Sequence, residues 1–473
     1  MRTGNPWNLS LLFFRLVLAA LAAFVLLLPL PFGGVLPWTH TVVQVTAFLL
    51  LAVAAIVAPR LADIRPAVLP AGCIAGIALL GAIQGATVPP AIVRNLAPGH
   101  ARLQAGAAEV VRIGGLERVP ESTLSLNGAA SRAAALTWLA VAACMLGAAV
   151  ASAERNRRRV VAAALVASGL FQVLLGATNL RLSPTAIWGV QVPNDPLRLR
   201  GSFINSDHLA LYLELVLPVA FAWGWWAVRR AGDDLNVDRR IALVAPPVIV
   251  WLTLFVGLAF TGSRAGLIAA CTGVAVQGLL LAIRRRRWRL AAAGGLAAVV
   301  GIGAVAFVGL QQGLGRWLGT SQYELTWGDR LEVYRYTFAL WQRFPLTGTG
   351  LATFRDAFTL VAPHELSTNW YWHAHNDLLE VLVTTGLVGA ALALVGIVAV
   401  VMGLVPALRD GERSEDRAAA LAAVGALAAV AVHSCFDFGL SMPANSATLA
   451  IVLGAALVAR RAAGKGKREE GRG

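Results

Sequence analysis

Residues 376–404 read NDLLEVLVTTGLVGAALALVGIVAVVMGL, and beyond Glu380 the run carries no charged side chain. A helix needs about 20 predominantly apolar residues to cross the hydrocarbon of a bilayer, and this stretch supplies them. Working outward, comparable runs lie at approximately 11–31, 36–58, 67–88, 133–152, 160–179, 207–228, 241–261, 265–283, 290–310, 418–436 and 443–459. With 376–404 that makes twelve. Open strands cannot span lipid, and these runs are too long and too uniformly apolar for barrel strands. The run at 11–31 is too long for a signal-peptide core and is read as a retained first span.

Composition agrees. Of 473 residues, 58% are hydrophobic and 14% charged, against roughly 45–50% and about 25% in soluble domains. This excludes a water-soluble enzyme and a disordered chain, and four cysteines exclude a disulfide scaffold. The expected fold is an all-α polytopic membrane protein, a single integral membrane unit over 1–473 with about twelve transmembrane helices.

The formal net charge is +15, which in a soluble chain would suggest nucleic acid. Here it is asymmetric. With a cytoplasmic N-terminus, the cytoplasmic segments hold 25 of the 40 basic and 11 of the 25 acidic residues, a net of +14. The opposite side nets zero, with Arg15 inside the first span supplying the last unit. By the positive-inside rule both termini, including a basic tail at 460–473, are expected in the cytoplasm. The run Arg284-Arg285-Arg286-Arg287-Trp288-Arg289 is read as a topology anchor beside anionic lipid. The bilayer is therefore an expected partner and nucleic acid is not.

Three external segments are long: 89–132, 180–206 and 311–375, the last a large external loop between spans nine and ten. Loops of this size are usually functional or disordered. The last one carries Trp317, Tyr323, Trp327, Tyr334, Tyr336, Trp341, Trp370, Tyr371 and Trp372, a density that favours a membrane interface or a binding surface. Within it, Leu331, Tyr334, Phe338 and Trp341 recur at spacings of 3, 4 and 3, which predicts an amphipathic helix over 329–344 in or near the interface plane. Pro345 and Thr347-Gly348-Thr349-Gly350 end it. Such a helix walls a cavity open to the outer leaflet or simply docks; the residues do not choose. The 89–132 segment reads as an external cap.

Four polar clusters fall at external span ends: Arg198–His208, Thr261–Gly266, His373–Asp377 and His433–Phe438. Arg264 stands in a short connection between two apolar helices, with glycine at 262 and 266. It is either an interfacial anchor or a phosphate clamp, since guanidinium meets phosphate bidentately and glycine admits close approach. Arg200, beside Gly201, offers a second guanidinium. His373 and His375 two residues apart point about 200° apart on a helix and chelate one metal poorly, and no further ligand cluster completes a site. No metal is expected. His375 is a candidate general base or orienting donor, or a capped histidine at a helix start, with Asn376 or Asp377 as the cap. There is no Walker loop, dinucleotide fingerprint or nucleophile elbow.

These pieces, in their order and spacing, resemble the O-antigen ligase and polymerase superfamily of bacterial envelope glycosyltransferases. The resemblance covers most of the chain and is strongest from about 198 to 440. It rests on Arg200-Gly201-Ser202-Phe203-x-Asn205; Ser263-Arg264-Ala265-Gly266; Gly328-Asp329-Arg330 through Trp341, Pro345 and Gly348-Thr349-Gly350; and His375-Asn376-Asp377 with Glu380 and Gly386-Leu387. It implies a multi-pass protein of the bacterial inner membrane with a large periplasmic loop before the catalytic histidine. It implies a polyprenyl-diphosphate-linked glycan donor, a hydroxyl acceptor on a lipid, protein or growing glycan, and no metal or other cofactor.

Carried onto this chain, the resemblance gives Arg200 and Arg264 to the diphosphate and His375 to activation of the acceptor hydroxyl. Arg330 is the expected third contact, with His373, Asn376, Asp377, Ser263 and Asn205 on the substrate side. His373 lies outside the motif and can share or replace the role of His375; His433 and Asp437 stay unassigned. A ligase and an exopolysaccharide or O-antigen polymerase differ only in acceptor. The alternative of another class is a twelve-span small-anion or solute transporter, against which stand the missing repeat symmetry and the absence of interrupted helices with midplane charges.

Overall fold

The computed structural model describes residues 6–57, 64–115, 121–192, 198–231, 235–285, 327–366, 371–410 and 414–459. The chain is an all-α polytopic membrane protein. Its helices are α1 (Pro6–Leu27), α2 (Pro37–Val57), α3 (Arg65–Gly85), α4 (Pro90–Leu96), α5 (Pro98–Ile113), α6 (Gly128–Ala151), α7 (Arg155–Leu182), α8 (Ser206–Ala231), α9 (Val237–Phe260), α10 (Arg264–Arg285), α11 (Trp327–Arg343), α12 (Phe354–Phe358), α13 (Asp377–Asp410), α14 (Ser414–His433) and α15 (Pro443–Leu457). Among the described residues, nine helices are long and apolar enough to cross a membrane, and Arg15–Leu27 and Pro443–Leu457 are shorter apolar helices. These eleven correspond to eleven of the twelve expected spans. The ninth, 290–310, lies outside the described residues, as do most of the basic anchor, the tail at 460–473, and Trp317, Tyr323 and Trp370 of the aromatic set.

Helix α8 is the hub. Leu209, Leu211, Leu213, Leu215 and Leu217 point to all sides of it and are at most 1% exposed, as expected of a helix apolar all round. It packs on α7, α9, α10, α14 and α15. Helix α13 sits at the rim: Leu394, Val398 and Met402 are 62%, 51% and 65% exposed, a stripe suited to lipid. Small residues bring helices close, since no hydrophobic drive separates side chains from lipid tails. A Cβ on Gly273 of α10 would lie 2.7 Å from the Gly425 carbonyl of α14.

Helix α13 is interrupted at Gly386 (φ 65°, ψ −166°), in a backbone region essentially restricted to glycine. The groups freed by the break are taken by the segment after α11. Thr349 N and Gly350 N donate to Val383 O (2.8 Å) and Thr384 O (3.0 Å), and Leu387 N donates to Pro345 O (2.9 Å). Irregular backbone at membrane depth survives only where protein satisfies it, and here the Thr347–Gly350 run does so. No charged side chain lies at this break.

Helix α11 fully buries Val333, Thr337 and Leu340, with Phe344 buried just beyond its end; of the stripe, Tyr334 and Trp341 are half-buried. Leu331 and Phe338 remain 49% and 45% exposed. The inward face packs with Phe354, Phe358, Tyr371 and Val383 as a separate small core, with Trp341 against it, while Leu331 and Phe338 face outward.

Candidate active site

The site begins where three helix ends meet. Asn376 caps α13: its Oδ1 accepts from Leu379 N (3.0 Å) and its Nδ2 donates to Cys435 O (3.0 Å). Asp377 N donates to Ser434 O (2.9 Å), and Asp377 Oδ2 accepts from Ser434 Oγ (2.9 Å). These bonds join the start of α13 to the turn after α14. From α11, Tyr334 Oη donates to His375 O (2.7 Å) and Cys435 O (3.2 Å), and Arg330 Nη1 donates to Phe436 O (2.8 Å). His375 is thereby held at φ +50°, a conformation uncommon for a side-chain-bearing residue and often found at functional positions.

Asp437 is the centre of the cluster. Its carboxylate lies 3.7 Å from His375 Nδ1, 3.6 Å from His433 Nε2 and 3.9 Å from His208 Nε2. These separations suit charge attraction and are longer than direct hydrogen bonds. Burial opposes the Asp437 charge, but His375 and His433, with His208, outweigh it and hold the carboxyl well below the usual carboxylate range. Phe438 is ringed by histidines: His373 stacks on it at 4.2 Å, and His208 and His375 meet it edge-on at 4.8 and 4.9 Å.

The two histidines of the motif region have different partners. His373 Nδ1 lies 2.7 Å from Glu380 Oε1, and Glu380 Oε2 accepts from Ala374 N (2.9 Å). Burial opposes protonation of His373, yet Glu380 prevails and raises its pKa. His375 faces Asp437 and makes no hydrogen bond at Nδ1 among the described residues. Beneath them, His433 Nδ1 and Glu214 Oε1 form a fully buried pair at 2.8 Å.

The four polar clusters converge. Arg198 Nε donates to Thr261 O (2.6 Å) and Arg198 Nη2 meets Asp207 Oδ1 (2.8 Å), joining the first cluster to the second. Ser263 Oγ accepts from Gly266 N (3.1 Å) and so caps α10. A Cβ on Gly266 would sit 2.9 Å from both Ala210 Cβ and Glu214 Oε1, so glycine lets the start of α10 lie on α8 beside the Glu214–His433 pair. Arg264 opens α10 with an exposed side chain. Asn205 Oδ1 accepts from Asp207 N (2.9 Å) at the start of α8. Arg200 is 2% exposed; its Nη2 donates to Pro184 O (2.7 Å), and its buried Nη1 has no hydrogen-bond partner among the described residues. Among those residues no group of three or more His, Cys, Asp or Glu is placed to hold a metal ion.

His375, His373, Arg330, Asn376 and Asp377, all expected at the site from the sequence, are brought to one place by the fold. His208, Glu214, Tyr334 and Arg198 join them without having been expected there, as do His433 and Asp437, which had no assigned role. The available signal was an ionisable residue inside a span, which is expensive unless paired and is functional by default; Glu214 and His433 both qualify.

No curated protein matches the chain. Residues 248–394 match the family model described as O-Antigen ligase, a stretch that runs from within α9 through Arg264, α11, the histidine loop and the break in α13, and that leaves Arg200, His433 and Asp437 outside it. Together with the polytopic helical fold, this match supports the chain's place in the O-antigen ligase and polymerase superfamily of membrane glycosyltransferases.

Proposed function

We propose that the protein transfers a glycan from a polyprenyl-diphosphate-linked donor to a hydroxyl acceptor, as a ligase at the outer face of the bacterial inner membrane, with both termini cytoplasmic. The observation that carries this reading is His375, fixed by Tyr334 and Asn376 and turned with Nδ1 toward the buried Asp437 carboxylate. A histidine so oriented keeps Nε2 for the acceptor.

In the proposed reaction the acceptor hydroxyl oxygen attacks the anomeric carbon while His375 Nε2 takes its proton. The bond from that carbon to the diphosphate oxygen breaks, and its electron pair leaves with the polyprenyl diphosphate. Asp437 stabilises the imidazolium as it forms. His373 Nδ1 is engaged by Glu380 Oε1 at 2.7 Å, which favours His375 for the proton transfer. Arg200, Arg264 and Arg330 take the departing negative charge, and no metal is called on for it. A buried guanidinium N–H without a partner, as at Arg200, is costly until an anion meets it. Preorganised donors of this kind are worth most where water is excluded.

The test is glycan transfer by the purified protein, given a polyprenyl-diphosphate-linked glycan and separate lipid, protein and glycan acceptors. His375→Ala and Arg264→Ala should each lose transfer; if both work at the wild-type rate, the assignment is wrong. The acceptor that is consumed decides between ligase and polymerase.

A further inference from the structure

At the opposite end of the bundle from the histidine cluster, α7, α8, α9, α14 and α15 enclose a cavity of about 480 Å³, within the roughly 300–1,000 Å³ of small-ligand sites. Its lining runs along α7 from Arg155 to Leu170, roughly 22 Å at 1.5 Å per residue. One leaflet of hydrocarbon is about 15 Å thick. The inner walls are apolar, with Leu165, Leu170, Val219 and Val452 among them. Ala167 and Trp223 also line it and are exposed, so the cavity opens sideways toward the bilayer.

The mouth is charged, and the charges do not cancel. Arg158 pairs with Asp416. Arg155 and Arg159 share the single carboxylate of Glu415: Arg159 pairs with it directly, and Arg155 Nε lies 3.7 Å away. Arg155 Nε and Nη2 are buried and make no hydrogen bond among the described residues. Among the described residues, these three guanidiniums face two carboxylates, so positive charge is left over beside an apolar slot. Trp226, over which Arg159 and Arg230 lie at 5.3 and 5.6 Å, sits at the same level, where an aromatic ring marks a membrane interface.

We infer that this cavity binds one anionic phospholipid of the adjoining leaflet, its phosphodiester on Arg155 and Arg159 and an acyl chain in the slot. The phosphodiester of an anionic lipid, not neutralised by a headgroup ammonium, carries negative charge that the mouth lacks, and the sideways opening admits a lipid without crossing water. The site is independent of the glycan-transfer reading, lying at the far end of α14 from His433.

The test uses the full-length protein exchanged into bilayer discs containing equal phosphatidylglycerol and phosphatidylcholine, with bound lipid counted by native mass spectrometry. Wild type should retain phosphatidylglycerol in preference, by about fivefold for one cation–phosphate contact. The Arg155→Gln/Arg159→Gln double variant should lose that preference. Should its ion-pair changes prevent folding, Ala167→Trp, which plugs the opening without touching the arginines, should lose the bound lipid altogether. Equal retention of both lipids by wild type, a neutral-lipid groove, overturns the inference. So does full preference in the double variant, unaltered lipid binding in Ala167→Trp, or displacement of the lipid by inorganic phosphate at equal concentration, which marks a site for a free anion.

Discussion

His375 Nδ1 lies 3.7 Å from Asp437 Oδ1, and the same carboxylate also faces His433 and His208. One buried negative charge thus faces the histidine just before α13 and anchors the polar interior between α8 and α14. Asp437→Asn should keep the shape and remove the charge. With His375 as the base, kcat for glycan transfer should fall by about 10²-fold or more, with KM for the donor little changed. A variant of unchanged kcat would separate Asp437 from the chemistry.

Stability should carry the same signature. The folded pKa of Asp437 is depressed, so its contribution is complete above the unfolded value, about 3.9, and is lost as pH falls through the folded value. Unfolding midpoints in detergent should show a wild-type advantage over Asp437→Asn that shrinks as pH falls below the unfolded carboxylate value. An advantage that instead grows in acid contradicts the charge assignment.

His373 should behave with the opposite sign. Its folded pKa is raised by Glu380 against burial, so the pair stabilises fully below the unfolded histidine value, about 6.5, and that stabilisation is lost as pH rises through the folded value. The unfolding midpoints of wild type and Glu380→Gln should differ most in mild acid and converge in alkali. A gap independent of pH would show that the 2.7 Å contact contributes as a neutral hydrogen bond.

The spans were legible in the sequence because a helix in lipid has one requirement, about 20 apolar residues. Four polar clusters were legible because they interrupt that pattern at its ends. Their partners were not. Asp437 and His208 are 229 residues apart and meet only because α8 and α14 pack side by side. The buried side of α11 was not legible from periodicity: Leu331 and Phe338 face outward, since in a membrane protein an apolar stripe can do so, and Val333 and Leu340 take the core. The break at Gly386 was hidden by an unbroken apolar run, since the loop that satisfies it comes from residues 345–350.

That junction gives a prediction about folding. A Cβ on Gly386 would run into the Leu346 carbonyl, and its backbone angles strain any other residue. Gly386→Ala should therefore cost about 1–3 kcal/mol by strain alone. It should be read as a lowered unfolding midpoint and reduced yield of monodisperse protein. Gly396, in the regular part of the same helix, has Cys73 Cβ at 3.1 Å from an added Cβ and ordinary backbone, so Gly396→Ala is the control and should cost less.

Tyr334 separates positioning from structure. Its hydroxyl bonds the carbonyls of His375 and Cys435, and its ring does not belong to the buried face of α11. Tyr334→Phe removes the two hydrogen bonds and leaves the packing. With Tyr334 fixing the strained His375 backbone, kcat should drop about tenfold, on the scale of one or two lost hydrogen bonds, while the unfolding midpoint moves little. The acceptor KM should rise less than kcat falls, because the loosened imidazole is used in the transition state more than in binding. Equal loss of activity and stability would mean that Tyr334 only holds α11 to the turn after α14.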